Sequence, residues 1–281
     1  MNNIEINGLC KNYPTFKLNN IGFNVPKGAI MGFVGRNGAG KTTTIKLILS
    51  IIRADYGSIK IFGQSASQAL NEHIGVVMDA PLYTDDWTAR DVQAAVAPFY
   101  PKWDRRLFDD YIGRFGLDYK KKVKELSRGM KIKLQLAVAL SHNAQLLILD
   151  EPTSGLDPVA RDQICDLLRE FVMDENKSVL FSKHITSDLE KTADYITFIH
   201  DGQIIFSGQK DELTQAYTRV MGGPNELSPE QKKLVIGYSQ HKTGFDGMVE
   251  TALVHKLPKT VLTEATDLEG IIIYTGRSDK K

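Results

Sequence analysis

The chain has 281 residues, with 35 Lys and Arg against 34 Asp and Glu, for a formal net charge of +1. This length suffices for one large domain and a smaller one, and the balanced charge argues against a nucleic-acid partner. Two cysteines far apart in sequence, Cys10 and Cys165, indicate no disulfide framework and fit a reducing cytoplasm. No apolar run approaches the roughly 18 residues of a membrane span, and the N-terminus does not resemble a signal peptide. We therefore expect a soluble, intracellular chain that reaches a membrane only through a partner.

The first half of the chain predicts strands, then a helical segment. Residues 2–34 are β-rich, with a turn at Pro26-Lys27-Gly28 before a short apolar strand. Residues 84–143 predict a helical insertion, and the spacing of Thr88 and Asp91 is that of a capping box at a helix start. Both tryptophans lie in this insertion.

An alternation of strands and helices returns from Ala144. Residues 146–149 predict a buried strand, Pro158 to Asp174 a helix, and Asp201-Gly202 a hairpin turn between two strands. Such alternation favours a largely parallel sheet with helices on both faces.

The pattern weakens past residue 210. There, residues 232–238 and 260–262 predict strands, whereas residues 246–255 and 267–274 predict helices. We therefore divide the chain into a main domain, residues 1–210, and a small α+β accessory or dimerisation unit, residues 211–281.

A phosphate-binding pattern spans Gly35 to Thr43, which read Gly-Arg-Asn-Gly-Ala-Gly-Lys-Thr-Thr between a predicted strand and a predicted helix. The glycines permit positive φ values and close approach of a ligand. Successive N–H groups and the positive end of the helix then form an anion site. Lys41 adds a charge for the β and γ phosphates, and the Thr42 hydroxyl is placed to ligate Mg²⁺. The sequence predicts a nucleoside triphosphate site formed by Gly35, Asn37, Gly38, Ala39, Gly40, Lys41, Thr42 and Thr43.

Two acids, Asp150 and Glu151, end the apolar strand that begins at Leu146. In a phosphate-loop ATPase the acid at such a strand end holds Mg²⁺, directly or through water. The adjacent Glu151 would orient and deprotonate the water that attacks the γ-phosphate. Two acids at a sheet edge are common, so the pair carries weight only together with the phosphate loop.

A third motif begins at Ser127, which is a suitable N-cap for the apolar helix that follows. A Ser-x-Gly at a helix start also offers a hydroxyl and a helix dipole to a phosphate. With this segment, the order of motifs resembles that of the ATP-binding subunit of an ABC transporter, whose signature is Leu-Ser-Gly-Gly-Gln. In this chain the signature reads Leu126-Ser127-Arg128-Gly129-Met130. Arg128 and Met130 depart from the family pattern, whereas the phosphate-facing Ser127 and Gly129 are kept.

The resemblance covers roughly residues 1–208 and implies further roles. It matches Tyr13 to the aromatic residue that stacks on adenine, although an ordinary packed tyrosine is equally consistent with that position. It places Asp157 in the loop that links two active sites, where Asp157 also caps the helix opened by Pro158. It matches His184 to the histidine that contacts the γ-phosphate and the attacking water.

Two further positions depart from the family. Asp79 stands where the family has Gln, and Lys183 stands before His184 in place of a small polar residue. A carboxylate is a good ligand for a hard cation, so we expect Asp79 to contact Mg²⁺, directly or through one water, only in the nucleotide-bound, closed state. The alternative is that Asp79 caps the turn into Pro81 and faces solvent.

The resemblance implies a P-loop ATPase core of the α/β class, with a mixed, largely parallel sheet, an N-terminal antiparallel β part, a helical insertion and a small C-terminal α+β appendage. It implies an ATP-hydrolysing, Mg²⁺-dependent subunit of an export-type ABC transporter. Such a subunit dimerises with itself or with a paralogous ATPase subunit around two ATP molecules. It would bind separately encoded integral-membrane subunits at the inner face of the cell membrane.

Several alternatives stay open from the sequence. A soluble ABC ATPase acting in DNA repair or on ribosomes is one, but the chain lacks sustained heptads and a second set of motifs. A regulatory nucleotide-binding module with little turnover is another, because of Asp79 and Lys183. The aromatic residues Tyr83, Trp87 and Trp103 form either a groove for the membrane partner or the core of the helical insertion.

Overall fold

The computed structural model describes residues 1–79, 82–184 and 187–278. By their internal contacts these residues form two compact units. One consists of Met1–His184 with Thr197–Ser207, and the other of the remaining described residues. None of the helices in the described ranges is long and apolar enough to cross a membrane.

Strands and helices alternate along much of the chain. In chain order, the strands are β1 (Asn2–Asn12), β2 (Lys17–Pro26), β3 (Ile30–Val34), β4 (Tyr56–Ile61), β5 (Gln64–Ser65), β6 (Ile74–Val77), β7 (Leu146–Asp150), β8 (Ser178–Lys183), β9 (Tyr195–His200), β10 (Gln203–Gln209), β11 (Tyr217–Gly222), β12 (Ile236–His241), β13 (Gly244–Glu250) and β14 (Leu262–Ala265). The α-helices are α1 (Lys41–Ile48), α2 (Ala89–Val96), α3 (Arg105–Arg114), α4 (Arg128–Leu140), α5 (Pro158–Val172), α6 (Ser187–Thr192), α7 (Lys210–Ala216), α8 (Pro229–Leu234) and α9 (Leu268–Ser278). Short 3-10 helices span Gln68–His73, Ala97–Phe99, Val123–Glu125 and Thr251–Lys256.

The first unit is built on two sheets. Strands β2, β1, β4 and β5 form an antiparallel sheet in that order. The second sheet has the order β10-β9-β3-β8-β7-β6, in which β3, β8, β7 and β6 run parallel. The predicted α/β fold, with an antiparallel N-terminal part and a largely parallel mixed sheet, is confirmed. Every residue of β3, β7 and β8 is buried, as expected for central parallel strands, and their carboxyl ends meet at one edge of the sheet.

The predicted helical insertion contains α2, α3 and α4, which pack around a shared apolar cluster that includes Val92, Phe108 and Leu134. The capping box predicted at Thr88 and Asp91 is present at the start of α2. The three aromatic residues singled out by the sequence are only partly buried and pack against this cluster: Tyr83, Trp87 and Trp103. This packing agrees with their interpretation as part of the insertion core.

The second unit contains an antiparallel sheet in the order β12-β13-β11-β14, which α9 contacts along β12. The helix predicted over residues 246–255 is wrong, because those residues continue β13 and then form a 3-10 helix from Thr251. Phe245 and Val249 are buried in the apolar cluster of this unit and pair across the sheet with β11. Strand pairing thus overrides local helix preference in this segment.

Of the other three elements predicted in this region, two strands differ from the structure in their bounds and one helix is confirmed. The single strand predicted over residues 232–238 is wrong in its first part, because α8 continues to Leu234 and β12 begins only at Ile236. Ser228 and Gln231 form a capping box that starts α8, which explains the helix. The strand predicted over residues 260–262 begins at Leu262 instead, and the helix predicted over 267–274 is confirmed as α9.

Candidate active site

The glycine loop joins the buried strand β3 to helix α1. Gly38 and Gly40 have φ values of 84° and 112°, as the sequence predicts for residues that must enter left-handed conformations. Gly35 is outside that region, so the expectation of a positive φ is wrong there. A Cβ at Gly35 would lie 2.3 Å from the carbonyl oxygen of Ile199, and Gly35 is therefore required for close packing against β9. Gly40 provides no side-chain cap to the first turn of α1, which leaves those N–H groups available to an anion.

Lys41 is the first residue of α1 and is only 6% exposed. Its ammonium donates hydrogen bonds to the carbonyl oxygens of Gly35 at 2.7 Å and Arg36 at 3.2 Å. The Oε1 atom of Glu151 lies 3.8 Å away. Burial lowers the pKa of Lys41, and the carboxylates of Glu151 and Asp150 oppose that shift. The lysine is thus a buried cation whose nearby negative charges are the carboxylates of Asp150 and Glu151.

Asp150, the last residue of β7, is buried and accepts two hydrogen bonds. The Thr42 hydroxyl donates to its Oδ2 at 2.8 Å, and the Ser182 hydroxyl donates to its Oδ1. Ser182 lies opposite Asp150 in the parallel pairing of β7 with β8. The carboxylate is therefore fixed from both sides, and it lies directly beside the threonine that follows the phosphate-loop lysine.

Glu151 follows β7 with a φ of 54°, an uncommon value for a residue other than glycine and one that is often found at functional sites. Its Oε2 accepts hydrogen bonds from the Ser154 hydroxyl at 2.6 Å and from Nδ1 of His184 at 2.8 Å. Its Oε1 is buried and has no hydrogen-bond partner among the described residues. One oxygen is thus held in place while the other is left available next to Lys41, which is the arrangement that a general base requires.

An open cleft of about 810 Å³ brings most of these groups together, a volume that suits a nucleotide. It is lined by Thr15, Phe16, Asn37, Gly38, Gly40, Lys41, Thr42, Thr43, Lys46, Met78, Asp79, Asp150 and Glu151. Tyr13 is 42% exposed and does not line the cleft, whereas Phe16 does. The two aromatics share one turn, in which Tyr13 N–H donates to the carbonyl oxygen of Phe16 at 2.8 Å. The role of Tyr13 in adenine stacking stays a prediction.

Asp79 and Lys183, which depart from the family pattern outside the signature, each have a definite partner. The Asp79 carboxylate accepts a hydrogen bond from the guanidinium of Arg128, itself one of the two departures within the signature. Lys183 is buried, and its ammonium donates to the hydroxyl of Thr153. Neither partner can be read from a local pattern, because Arg128 lies far from Asp79 along the chain and Thr153 far from Lys183.

The remaining predicted residues lie outside the cleft that contains Lys41. Ser127 caps α4, and its hydroxyl accepts from the N–H of Met130 at 3.3 Å. Asp157 caps α5 as predicted and accepts from the N–H of Ala160 at 2.9 Å, and this bond lowers its pKa. Gly129 lies close to Leu156, with 3.4 Å between that side chain and the position of an added Cβ. None of these three residues lines the cleft that contains Lys41.

Two hydroxyl residues belong to the site although the sequence does not single them out. Ser154 is only part of a loop in the sequence pattern, and Ser182 only the residue before Lys183. The hydroxyl of Ser182 is positioned by strand pairing, which no local pattern reveals. For Ser154, its position three residues after Glu151 is a usable signal, because a turn brings such residues into contact.

A glycine loop with a buried lysine, a threonine beside a strand-end aspartate, and a glutamate with one oxygen fixed together define a phosphate-loop nucleoside triphosphatase. The profile of the ABC transporter family matches residues 18–154. The chain is 34% identical to the bacitracin transport ATP-binding protein BcrA of Bacillus licheniformis over 244 residues, covering 85% of this chain and 79% of that protein. It is 33% identical to the lantibiotic transport ATP-binding protein SrtF of Streptococcus pyogenes over 211 residues, covering 74% and 91%.

Among solved structures, cbiO1 from Clostridium perfringens, part of an ABC transporter complex, superimposes with a TM-score of 0.65 at 25% identity, covering 75% of this chain and 90% of that one. The chain belongs to the ATP-binding proteins of ABC transporters. It is an ATP-binding subunit and an ATPase whose activity is coupled to transport. The relatives give no support to a role outside transport.

Proposed function

We propose that this chain hydrolyses ATP for an exporter, as one of two ATP-binding subunits that enclose two ATP molecules between them. The second subunit is another copy or a paralogue, and both drive separately encoded membrane subunits from the cytoplasmic face of the membrane. Relatives named for bacitracin and lantibiotic transport support a cargo of the antibiotic-peptide class. The single observation that carries the catalytic part is the asymmetric environment of the Glu151 carboxylate.

Glu151 is the proposed general base. Ser154 and His184 hold its Oε2, so the carboxylate cannot rotate freely. The Oε1 atom, which accepts no hydrogen bond from the described residues, would take a proton from the water that attacks the γ-phosphate. Lys41, whose ammonium lies 3.8 Å from that oxygen, would shift toward the β and γ phosphates when ATP is bound. His184 would act by holding Glu151 and by contacting the γ-phosphate.

The donor set at the foot of the cleft fits Mg²⁺. Thr42 and Asp150 present a hydroxyl and a carboxylate oxygen 2.8 Å apart, and Mg²⁺ prefers a few hard oxygens together with phosphates and water. Bound there, Mg²⁺ would neutralise charge on the transferred phosphate. Asp79 lines the same cleft, and we propose it as a further oxygen ligand in the nucleotide-bound, closed state.

The predicted residues that lie outside the cleft would serve the neighbouring subunit. We propose that Ser127 and Gly129 face the phosphates of ATP bound by that subunit, and that Asp157 lies at the junction of the two sites. Tyr13 is the proposed adenine contact of the chain's own site, with Phe16 as the alternative because Phe16 lines the cleft.

Replacement of the base tests this proposal. Glu151→Gln should reduce turnover by roughly 10²-fold or more, because the amide cannot take the proton, while ATP binding persists. ATP should also drive this variant into a stable dimer, which sedimentation would detect. Glu170→Gln, which removes an exposed carboxylate on α5, is the control and should behave as the unmodified chain. Near-normal turnover in Glu151→Gln would remove Glu151 from the mechanism.

A further inference from the structure

Two of the residues that depart from the family pattern bind each other. Asp79 follows β6 and Arg128 opens α4, and the guanidinium of Arg128 donates to Oδ1 of Asp79. A second bond ties the same two elements, since the Met78 N–H donates to Oε1 of the buried Gln135 at 2.9 Å. The Met78–Gln135 bond fixes α4 against the end of β6. The ion pair therefore joins two positions whose separation is already set.

Arg128 also rests against the loop that follows Glu151. Gly155 has a φ of 71°, and an added Cβ there would lie 3.4 Å from Cδ and 3.5 Å from Nε of Arg128. Three segments therefore converge on this side chain: the end of β6, the start of α4 and the loop between β7 and α5. Arg128 is in addition one of the residues around a small cavity of about 100 Å³ that Asp79, Asp150 and Glu151 also line.

The pair lies at the rim of the nucleotide cleft and is accessible. The side chains of Arg128 and Asp79 are 50% and 55% exposed. Exposed ion pairs contribute little to folding stability because water competes with them. Asp79 lines the cleft that contains Lys41, whereas Arg128 does not. Arg128 lies between Ser127 and Gly129, which are proposed to face the ATP of the neighbouring subunit, so a phosphate that meets the exposed guanidinium would be that subunit's.

We propose that Arg128 contacts a phosphate of ATP bound by a second copy of the chain, and that Asp79 is a positioning residue that holds Arg128 until that phosphate competes for it. This inference rests on the proposed function, because it requires two copies to close around ATP. A nucleoside triphosphate carries more negative charge than one carboxylate, so the exchange of partners by the guanidinium is favourable. Asp79 makes closure depend on ATP, because Arg128 has a competing partner inside its own chain.

The experiment measures the ATP concentration at which half of the Glu151→Gln protein is dimeric, by analytical ultracentrifugation. Adding Arg128→Ala should raise that concentration about tenfold, because a charge-assisted contact is lost. Adding Asp79→Asn should lower it about threefold, since the amide no longer holds the guanidinium by charge yet keeps an oxygen that can ligate Mg²⁺. Arg128→Lys should lie between Arg128→Ala and the parent.

The double variant separates two roles of Asp79. If Asp79 acts through Arg128, Asp79→Asn should have no effect when Arg128→Ala is already present. An equal decrease with and without Arg128 would mean that the carboxylate merely repels the phosphates, and the positioning role would be overturned.

A matched ion pair provides the control. Arg114 and Glu170 are also 50% and 55% exposed, and they form a similar pair on α3 and α5. Arg114→Ala and Glu170→Gln should leave the dimerisation midpoint unchanged. Binding of ATP by the monomer should be unaffected by Arg128→Ala, which a general structural defect would not allow.

Mixing two variants tests whether the contact crosses between copies. A Lys41→Ala chain and an Arg128→Ala chain should together hydrolyse more ATP than the average of the two alone, because a mixed dimer has one intact composite site. Without recovery, Arg128 would act on its own chain's ATP and the inference would be wrong. If the Glu151→Gln protein does not dimerise with ATP at all, the proposed function fails. If it dimerises normally with Arg128→Ala, only this inference fails.

Discussion

The two sides of the proposed nucleotide site differ in how firmly their side chains are held. On the cleft side, Lys41 and Asp150 are 6% and 4% exposed and are fixed by hydrogen bonds within the chain. On the α4 side, Arg128 and Asp79 are about half exposed and rely on each other. Groups that align a reacting water and a metal need rigid support, because small displacements reduce the rate. Side chains that bind a second molecule need not be fixed in position until that molecule binds.

The largest expected effect lies on the rigid side. Asp150→Asn replaces a carboxylate that accepts from Thr42 and Ser182 with a group whose NH₂ cannot accept. Turnover should fall by roughly 10²-fold or more, because both the threonine and the proposed Mg²⁺ lose their partner. Asp166→Asn, at an exposed ion pair on α5, is the control and should retain full turnover. A comparable loss in both variants would contradict the special role of the buried side.

The second prediction compares the two ends of α4, which begins exposed and ends buried. His142, just past its end, is buried and stacks on Tyr100 with ring centroids 4.0 Å apart. Burial lowers the pKa of His142 to about 4, with a smaller contribution from His73, while a hydrogen bond to the Glu72 carbonyl oxygen opposes the shift. The unfolded chain, with an ordinary histidine pKa near 6.5, therefore binds the proton more readily than the folded one.

Stability should accordingly fall as the pH falls from about 6.5 toward 4, with a loss of about 2 kcal/mol between pH 7.5 and pH 5 from this group. Urea denaturation at the two pH values measures it. His142→Phe keeps an aromatic ring against Tyr100 and should remove that part of the pH dependence. His73→Asn, at a more exposed histidine, should remove little of it. An unchanged pH dependence in His142→Phe would show that the buried end of α4 is not the source.

The third prediction addresses the exposed side and the metal. If Asp79 ligates Mg²⁺ in the closed state, Asp79→Ala should raise the Mg²⁺ concentration needed for half-maximal turnover by roughly tenfold, and weaken ATP binding less. Asp79→Gln should keep substantial activity, because its carbonyl oxygen still reaches a cation. A magnesium titration of turnover gives the result. An unchanged titration in Asp79→Ala would leave Asp79 with its contact to Arg128 and no metal role.

Some features of the site are predictable from the sequence because they depend on neighbouring residues. The loop around Lys41, the acids of β7 and the caps at Thr88, Ser127 and Asp157 depend on residues within a few positions of one another. Local patterns of that kind can be recognised in a single sequence.

Contacts made by the tertiary fold are not predictable in this way. The partner of Asp79 lies 49 residues away, and Ser182 meets Asp150 only because β7 and β8 pair in register. The requirement for glycine at position 35 arises from the backbone of β9, and β13 resembles a helix until its neighbouring strands are known. The sequence can name the residue types at the site, but it does not give these long-range partners.

The smallest expected effect on nucleotide binding concerns the tail. The residues that line the cleft all belong to the first unit, so a chain of residues 1–210 should fold and bind ATP within about threefold of the full chain. Residues 211–281 are proposed to tune dimerisation or regulation. The truncation does remove partners of α6, because the Leu268 N–H donates to Oε1 of Glu190 at 3.0 Å. The melting temperature should therefore fall by a few degrees, roughly 2–4 °C per kcal/mol lost.

Calorimetry and ATP titration of the truncated chain provide the measurement. Glu190→Gln in the full chain is the matched control, because it weakens the contact of α6 with α9 and leaves the tail in place. Its melting temperature should fall by less than that of the truncation, with unchanged ATP binding. Loss of cooperative unfolding in residues 1–210 would mean that the ATPase domain requires the tail for folding. The cleft would then not be independent of residues 211–281.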